Sequence, residues 1–191
     1  MDLYVFRHGE SVGNQQRLFS GWCQLELTEK GVRQAEALRD RLNGLTFDCV
    51  YASDLIRAVE TAQIVLPQMP VTQDADLREV NVGILAGRKL VDCQQEYGEK
   101  LEISRRTRDF TPFGGEDSQA LMDRAASFLY HVSQVQTDRI AVFCHEGIIK
   151  GMLSAVMGVL LDEHRFSHAN CNYSVFTFTP EQGWRLLRWN V

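Results

Sequence analysis

No stretch of this sequence approaches the roughly 18 consecutive apolar residues that a membrane span requires, so no membrane partner is expected. There is no Cys-x-x-Cys pair: the five cysteines, Cys23, Cys49, Cys93, Cys144 and Cys171, are odd in number and widely spaced. Such spacing argues against a disulfide framework and a zinc site, and leaves them as reduced, small, partly buried residues. No His, Cys or carboxylate array with the spacing of a metal site is evident, so neither a metal nor another cofactor is expected. Positive charge is in deficit, with 20 Lys and Arg against 25 Asp and Glu. A nucleic-acid partner is therefore disfavoured, and any bound anion must be held by a local cluster of cations. The first strand is not preceded by a basic start and an apolar signal core, which predicts a cytoplasmic location. Internal repeats, low-complexity segments and domain-separating linkers are absent too, so residues 1–191 are expected to form a single domain.

What is present is an alternation of short apolar runs and amphipathic stretches. LYVF (3–6) reads as a buried strand and is followed by a long polar loop. Thr28 can cap a helix whose apolar face carries Val32, Ala35, Leu38 and Leu42. DCVYAS (48–53) predicts a second strand running into a helix with Arg57, Ala58, Thr61, Ala62 and Val65, and a short strand follows near Val71. Residues 79–117 are the least regular, with a modest helical signal at 89–98, and predict a lid-like insertion. Leu121, Ala125, Phe128, Leu129 and Val132 lie on one face of a helix at 118–135. IAVFC (140–144) is another strand leading into a helix, and the chain ends in a hairpin turning at Pro180–Gly183. The fold class implied is α/β: a three-layer α/β/α sandwich around a mostly parallel sheet with an antiparallel edge.

Two of the strands stop in the same way. LYVFRHGE and IAVFCHEG each pass through Val-Phe, then one residue, then a histidine with glycine within two positions. In open α/β sheets ligands sit beyond the carboxyl ends of the strands. Parallel neighbours would bring Arg7, His8 and Gly9 beside His145, Glu146 and Gly147, with Ser53, Asp54 and Arg57 on the adjoining strand end. A concentration of arginine and histidine on an acidic protein suits a phosphate dianion. Arginine binds it through paired donors, and imidazole can both donate a hydrogen bond and attack.

The run Arg7-His8-Gly9-Glu10-Ser11 with Asn14 resembles the signature of the histidine phosphatase superfamily, the phosphoglycerate mutase-like proteins. The resemblance continues through LTEKG (27–31), YASDLIRAVETA (51–62), LREVNVGILAG (77–87), GGED (114–117) and CHEGIIK (144–150), in order and over nearly the whole chain. It implies that His8 is a nucleophile forming a phosphohistidine, with Arg7, Arg57 and His145 as the phosphate pocket. It further implies Glu79 as proton donor to the leaving oxygen, and Asn14, Ser20 and Gly21 as phosphate and substrate contacts, with Gly147 allowing close backbone approach. The partner implied is a small phosphorylated metabolite, handled by a monomer or homodimer. The chain looks most like the small phosphatase branch, which includes α-ribazole phosphatase and broad-specificity phosphatases.

Other readings stand beside this one. A mutase-type phosphotransferase is the first alternative, although family mutases generally carry longer insertions around the site. A catalytically inactive phospholigand-binding module is the second. Cys144, at a strand end before a short loop and helix, resembles the nucleophile of cysteine-dependent phosphatases, but those need C-x₅-R and Lys150 stands at the sixth place. Arg105, Arg106 and Arg108 are either a solvated face or a hold on an anionic substrate. His131, His164 and His168 are expected to be surface or structural. Glu146 stands where the family usually has glycine. Pointing inward, it would repel phosphate and raise the pKa of His145; pointing toward the substrate's organic part, it would select for a hydroxyl or cationic group.

Overall fold

The computed structural model describes residues 1–191, apart from the side chain of Glu163. Six strands form one sheet: β1 (Asp2–Arg7), β2 (Cys49–Ala52), β3 (Val71–Gln73), β4 (Arg139–Cys144), β5 (Tyr173–Thr179) and β6 (Gly183–Arg188). Their spatial order is β3-β2-β4-β1-β5-β6. The first four are mutually parallel, while β5 pairs antiparallel with β1 and β6 antiparallel with β5, carrying the sheet to its edge.

Side-chain alternation along the strands builds two cores. Leu3 and Val5 of β1 and Ile140, Val142 and Cys144 of β4 face one layer of helices, α5 (Ser118–Ser133) and α6 (Glu146–Met157). Phe6, Ala141 and Phe143 face the other, α2 (Glu29–Arg41) and α3 (Ile56–Val65). The three-layer α/β sandwich with a mostly parallel sheet is thus the observed architecture. Thr28 caps α2 by accepting from the Gly31 amide at 3.1 Å, and Asp117 caps α5 by accepting from Ala120 at 2.8 Å.

Two segments differ from the sequence reading. The polar loop after β1 contains a one-turn helix, α1 (Val12–Gln16), closed by a reciprocal capping box between Ser11 and Asn14. The helical signal at 89–98 is only the first half of α4 (Leu90–Thr107). Gly98 takes φ 51°, ψ −124° and kinks the axis, so the apolar period breaks there and the second half reads as irregular. That second half still buries Leu101 and Ser104.

No helix among the described residues is long and apolar enough to cross a membrane. Phe128 of α5 is 1% exposed, with its ring edge-on to Tyr51 at 5.6 Å. Phe128→Ala is expected to cost about 3–5 kcal/mol in urea unfolding; a loss under about 1 kcal/mol would show that this core is not closely packed.

Candidate active site at the strand ends

Strand register explains why the two histidines meet. β1 and β4 pair in parallel with Leu3 opposite Ile140 and Arg7 opposite Cys144. The next residue on each is His8 and His145, and their ring centroids lie 5.1 Å apart at 60°. Both rings are buried, at 3% and 0% exposure.

His8 is fixed by its own neighbour. Its Nδ1 lies 2.6 Å from the Gly9 carbonyl oxygen, which places the proton on Nδ1 and the lone pair on Nε2. The Gly9 amide donates to Thr61 Oγ1 at 3.1 Å, and that hydroxyl donates to the Arg57 carbonyl at 2.7 Å. A Cβ on Gly9 would stand 2.6 Å from the Gly31 oxygen, so the turn after β1 presses directly on the start of α2. Asn170 Nδ2 donates to the His8 carbonyl at 2.9 Å.

Arg57 is the largest fully buried side chain among the described residues. Its Nη1 donates to the Cys23 carbonyl and its Nη2 to the Gly21 carbonyl, each at 2.9 Å. Burial depresses its pKa to about 10, partly offset by the nearby Glu79 carboxylate. Arg7 Nη1 donates to the His168 carbonyl and pairs with Glu146 Oε2 at 2.8 Å. The Nε atoms of Arg7 and Arg57 and both ring nitrogens of His145 are buried without a hydrogen-bond partner among the described residues. A buried donor left unpaired costs about 1–3 kcal/mol, so this much unspent capacity at one place marks a seat for an acceptor-rich anion.

The same surroundings set protonation. Burial, then Arg57 and Arg7, hold the His8 pKa well below the ordinary histidine value. Burial, Arg57 and His8 do the same to His145. Both imidazoles are therefore neutral at pH 7. Cys144, paired with Arg7, is wholly buried, and burial pushes its thiol well above the usual range.

Glu79 reaches the site from the loop before α4. Its Oε1 accepts from the Val80 amide at 2.9 Å and the Gly147 amide at 3.0 Å, the latter at the N-terminus of α6. A Cβ on Gly147 would collide with Oε1, so that position admits only glycine while Glu79 stays where it is. The backbone behind Glu79 is clamped by residues that sequence reasoning missed. Arg124 Nη1 donates to the Asp76 and Arg78 carbonyls at 2.7 and 3.1 Å, and Nη2 to Glu116 Oε1 at 2.7 Å. Trp22 Nε1 donates to the Glu79 carbonyl at 2.7 Å, and Arg78 pairs with Asp54 while lying over the Trp22 ring.

Beside the notch lies a chamber of about 350 Å³, lined by Phe19, Phe110, Arg105, Arg108, Lys150 and His164 along with Glu79, Glu146, Gly147 and Gly21. His164, expected from sequence to be surface or structural, belongs to this wall; its Nε2 approaches the Arg106 carbonyl at 3.3 Å. Glu146 lies along the chamber with Oε2 on Arg7 and Oε1 on Lys150 Nζ, both 2.8 Å. Burial works to raise its pKa, but Arg7 and Lys150 prevail and hold it low. His145 is not pushed upward by it. Asn14 Oδ1 accepts from Ser11, and Ser20, between Phe19 and Gly21 of the chamber wall, packs against α1 at Gly13. Neither side chain is hydrogen-bonded to Arg7, His8, Arg57 or His145. No group of three His, Cys, Asp or Glu side chains suited to a metal ion occurs among the described residues.

His168 supports Arg7 from behind, with its ring Nε2 3.1 Å from Ser174 Oγ, and burial lowers its pKa to about 4. In the unfolded chain it takes up a proton near pH 6.5, whereas in the folded chain it does not until about pH 4. The unfolded state thus binds more protons in that window, and stability present above pH 6.5 is lost as pH falls toward 4, by up to ~3 kcal/mol. His168→Asn is expected to flatten this part of the stability–pH curve; an unchanged slope would mean that His168 does not carry it.

Comparison with known proteins matches residues 3–191 to the family model for the histidine phosphatase superfamily (branch 1). The chain is 37% identical over 140 residues to a 2,3-bisphosphoglycerate-dependent phosphoglycerate mutase of Beijerinckia indica, covering 69% of this chain and 66% of that protein. It is 33% identical over 163 residues to the adenosylcobalamin/alpha-ribazole phosphatase of Escherichia coli, covering 83% and 80%. Among solved structures, the alpha-ribazole phosphatase of Shigella flexneri superposes with a TM-score of 0.90 at 28% identity, over 100% of this chain and 96% of that one. With facing strand-end histidines, a buried and a half-buried arginine beside them and a family match across its length, this chain belongs to the histidine phosphatase superfamily, branch 1.

Proposed function

We propose that this protein is a metal-independent phosphatase that hydrolyses a small phosphomonoester through a phosphohistidine on His8. The observation that carries the reading is the tautomer lock: with Nδ1 committed to Gly9, the lone pair on Nε2 is available beside His145 and Arg57. Arg7, Arg57 and His145 supply the donors that a transferring phosphoryl group needs, in surroundings where they are partly desolvated. Nε2 attacks phosphorus, the P–O ester bond breaks, and the leaving oxygen takes a proton from Glu79. Oε2 is the oxygen for that task, because Oε1 accepts two backbone amides. Water then attacks the phosphohistidine and gives a proton to Glu79, the N–P bond breaks, and inorganic phosphate leaves.

Among family activities, phosphatase is favoured over mutase because the adjoining chamber gives water room beside the phosphohistidine. The organic part of the substrate is proposed to be small, with an α-ribazole-type phosphate one candidate on the strength of the relatives bearing that activity. The mutase reading keeps support from the similarity to the Beijerinckia enzyme.

Hydrolysis of a panel of phosphomonoesters in EDTA, with acid-quench detection of ³²P-enzyme, tests the chemistry. His8→Ala is expected to lower kcat/KM at least about 10³-fold and abolish labelling, while Cys144→Ser retains most of both. Substantial turnover in His8→Ala, or loss of rate in EDTA, would overturn the proposal. Glu79→Gln is expected to slow alkyl esters by about 10²–10⁴-fold and p-nitrophenyl phosphate far less, since a nitrophenolate leaves without a proton. Equal losses on both would remove Glu79 from the donor role.

A further inference from the structure

We propose that Glu146 is a specificity-determining residue that turns the site toward phosphomonoesters with an uncharged, hydroxyl-bearing group next to the ester, and away from those carrying a second anion there. The inference rests on the proposed seating of phosphate among Arg7, His8, Arg57 and His145. Glu146 is the first residue of α6, and its side chain, 27% exposed, forms part of the chamber wall. One carboxylate oxygen binds Arg7, the guanidinium that would also touch phosphate. The other binds Lys150, the chamber cation one helical turn along α6, whose side chain is 13% exposed.

Two consequences follow from this arrangement. Lys150 would otherwise be the natural partner for a carboxylate or second phosphate close to the ester, and it is already neutralised. A second anion entering that space also meets the Glu146 charge in a partly desolvated wall, where salt screens poorly. A hydroxyl meets no such penalty, because a carboxylate keeps lone pairs able to accept from it and the ammonium keeps hydrogens able to be shared. The remaining chamber cations, Arg105 and Arg108, come from the far end of α4, whereas Lys150 shares α6 with Glu146 and is the one paired with it.

Glycerol 3-phosphate and 3-phosphoglycerate form a matched pair, differing by a hydroxymethyl group against a carboxylate. The wild-type chain is expected to favour glycerol 3-phosphate in kcat/KM by about tenfold or more. Glu146→Gln, which keeps the shape, is expected to shrink that preference at least about tenfold, mainly through a lower KM for the carboxylate. Lys150→Met is expected to widen it, and this opposite movement distinguishes charge selection from damage to folding. A preference unchanged within about twofold in both variants, or a wild-type preference for 3-phosphoglycerate, would overturn the inference. Calorimetric binding of the same two esters in a His8→Ala background reads the preference without turnover. A wild type inactive on every ester would sink the phosphatase reading, while equal binding of the pair in that background would sink the role of Glu146.

Discussion

Two imidazoles and the Arg57 guanidinium are held together out of water with the half-buried Arg7 beside them, and most of what is unusual in the chain serves to keep them there without collapse. Four like or potentially like charges in so small a space repel one another, and burial penalises each charged form further. The protein's answer is to keep the imidazoles neutral and the guanidiniums tethered. Arg57 is tied to the carbonyls of Gly21 and Cys23, Arg7 to the His168 carbonyl and the Glu146 carboxylate. Backbone dipoles rather than carboxylates satisfy Arg57, so its positive charge is not cancelled and stays available to a ligand. The back-to-back contact of Gly9 with Gly31 and the bare face of Gly147 belong to the same constraint, since a side chain at any of them would displace a group that defines the notch.

The acid side of the site is built by a different device. Glu79 sits on an irregular loop, and a loop carboxylate would ordinarily wander. Here Arg124 gathers the Asp76 and Arg78 carbonyls and pairs with Glu116, while Glu116 also accepts from the Asn81 amide at 2.8 Å. The loop is thus fastened at Asp76 and Arg78 before Glu79 and at Asn81 after it, and the carboxylate itself is held by the Val80 amide and by the Gly147 amide of α6. One helix N-terminus therefore carries both His145 and the anchor for Glu79, so the two groups share one base.

How far this was legible from sequence depended on whether a feature is local. The repeated Val-Phe-x-His ending points to adjacent parallel strands, because a shared period and a shared stop place the following residues in one row. The helix at 29–41 was visible because Thr28 and the Val32–Ala35–Leu38 spacing are contained within one segment. The second half of α4 was not, since Gly98 breaks the period inside the element. Arg124 and His164 were opaque for another reason. Arg124 sits on the polar side of an amphipathic helix like any solvated arginine, and only the approach of a loop more than forty residues earlier in the chain gives it partners. His164 joins the chamber only because the segment after α6 folds back toward the end of α4.

Strand alternation also gives the two candidate nucleophiles of the sequence different surroundings. Cys144 follows Ile140 and Val142 onto the α5–α6 face, so its sulfur is packed into hydrocarbon one residue short of the notch. Reactive thiols require the thiolate, and burial among apolar side chains works directly against it. His8 is one residue past Arg7 on the neighbouring strand, at the point where the ladder ends and the backbone turns. It lies beyond the last pleat rather than inside the core, yet it is close enough to the strand for its own backbone amide to donate to the Cys144 carbonyl at 3.0 Å. A slip of β4 by one residue toward its carboxyl end would carry Cys144 to the position that His145 now holds. In the proposed mechanism, pairing register therefore sets which of the two side chains stands beside the notch and which is packed in the core.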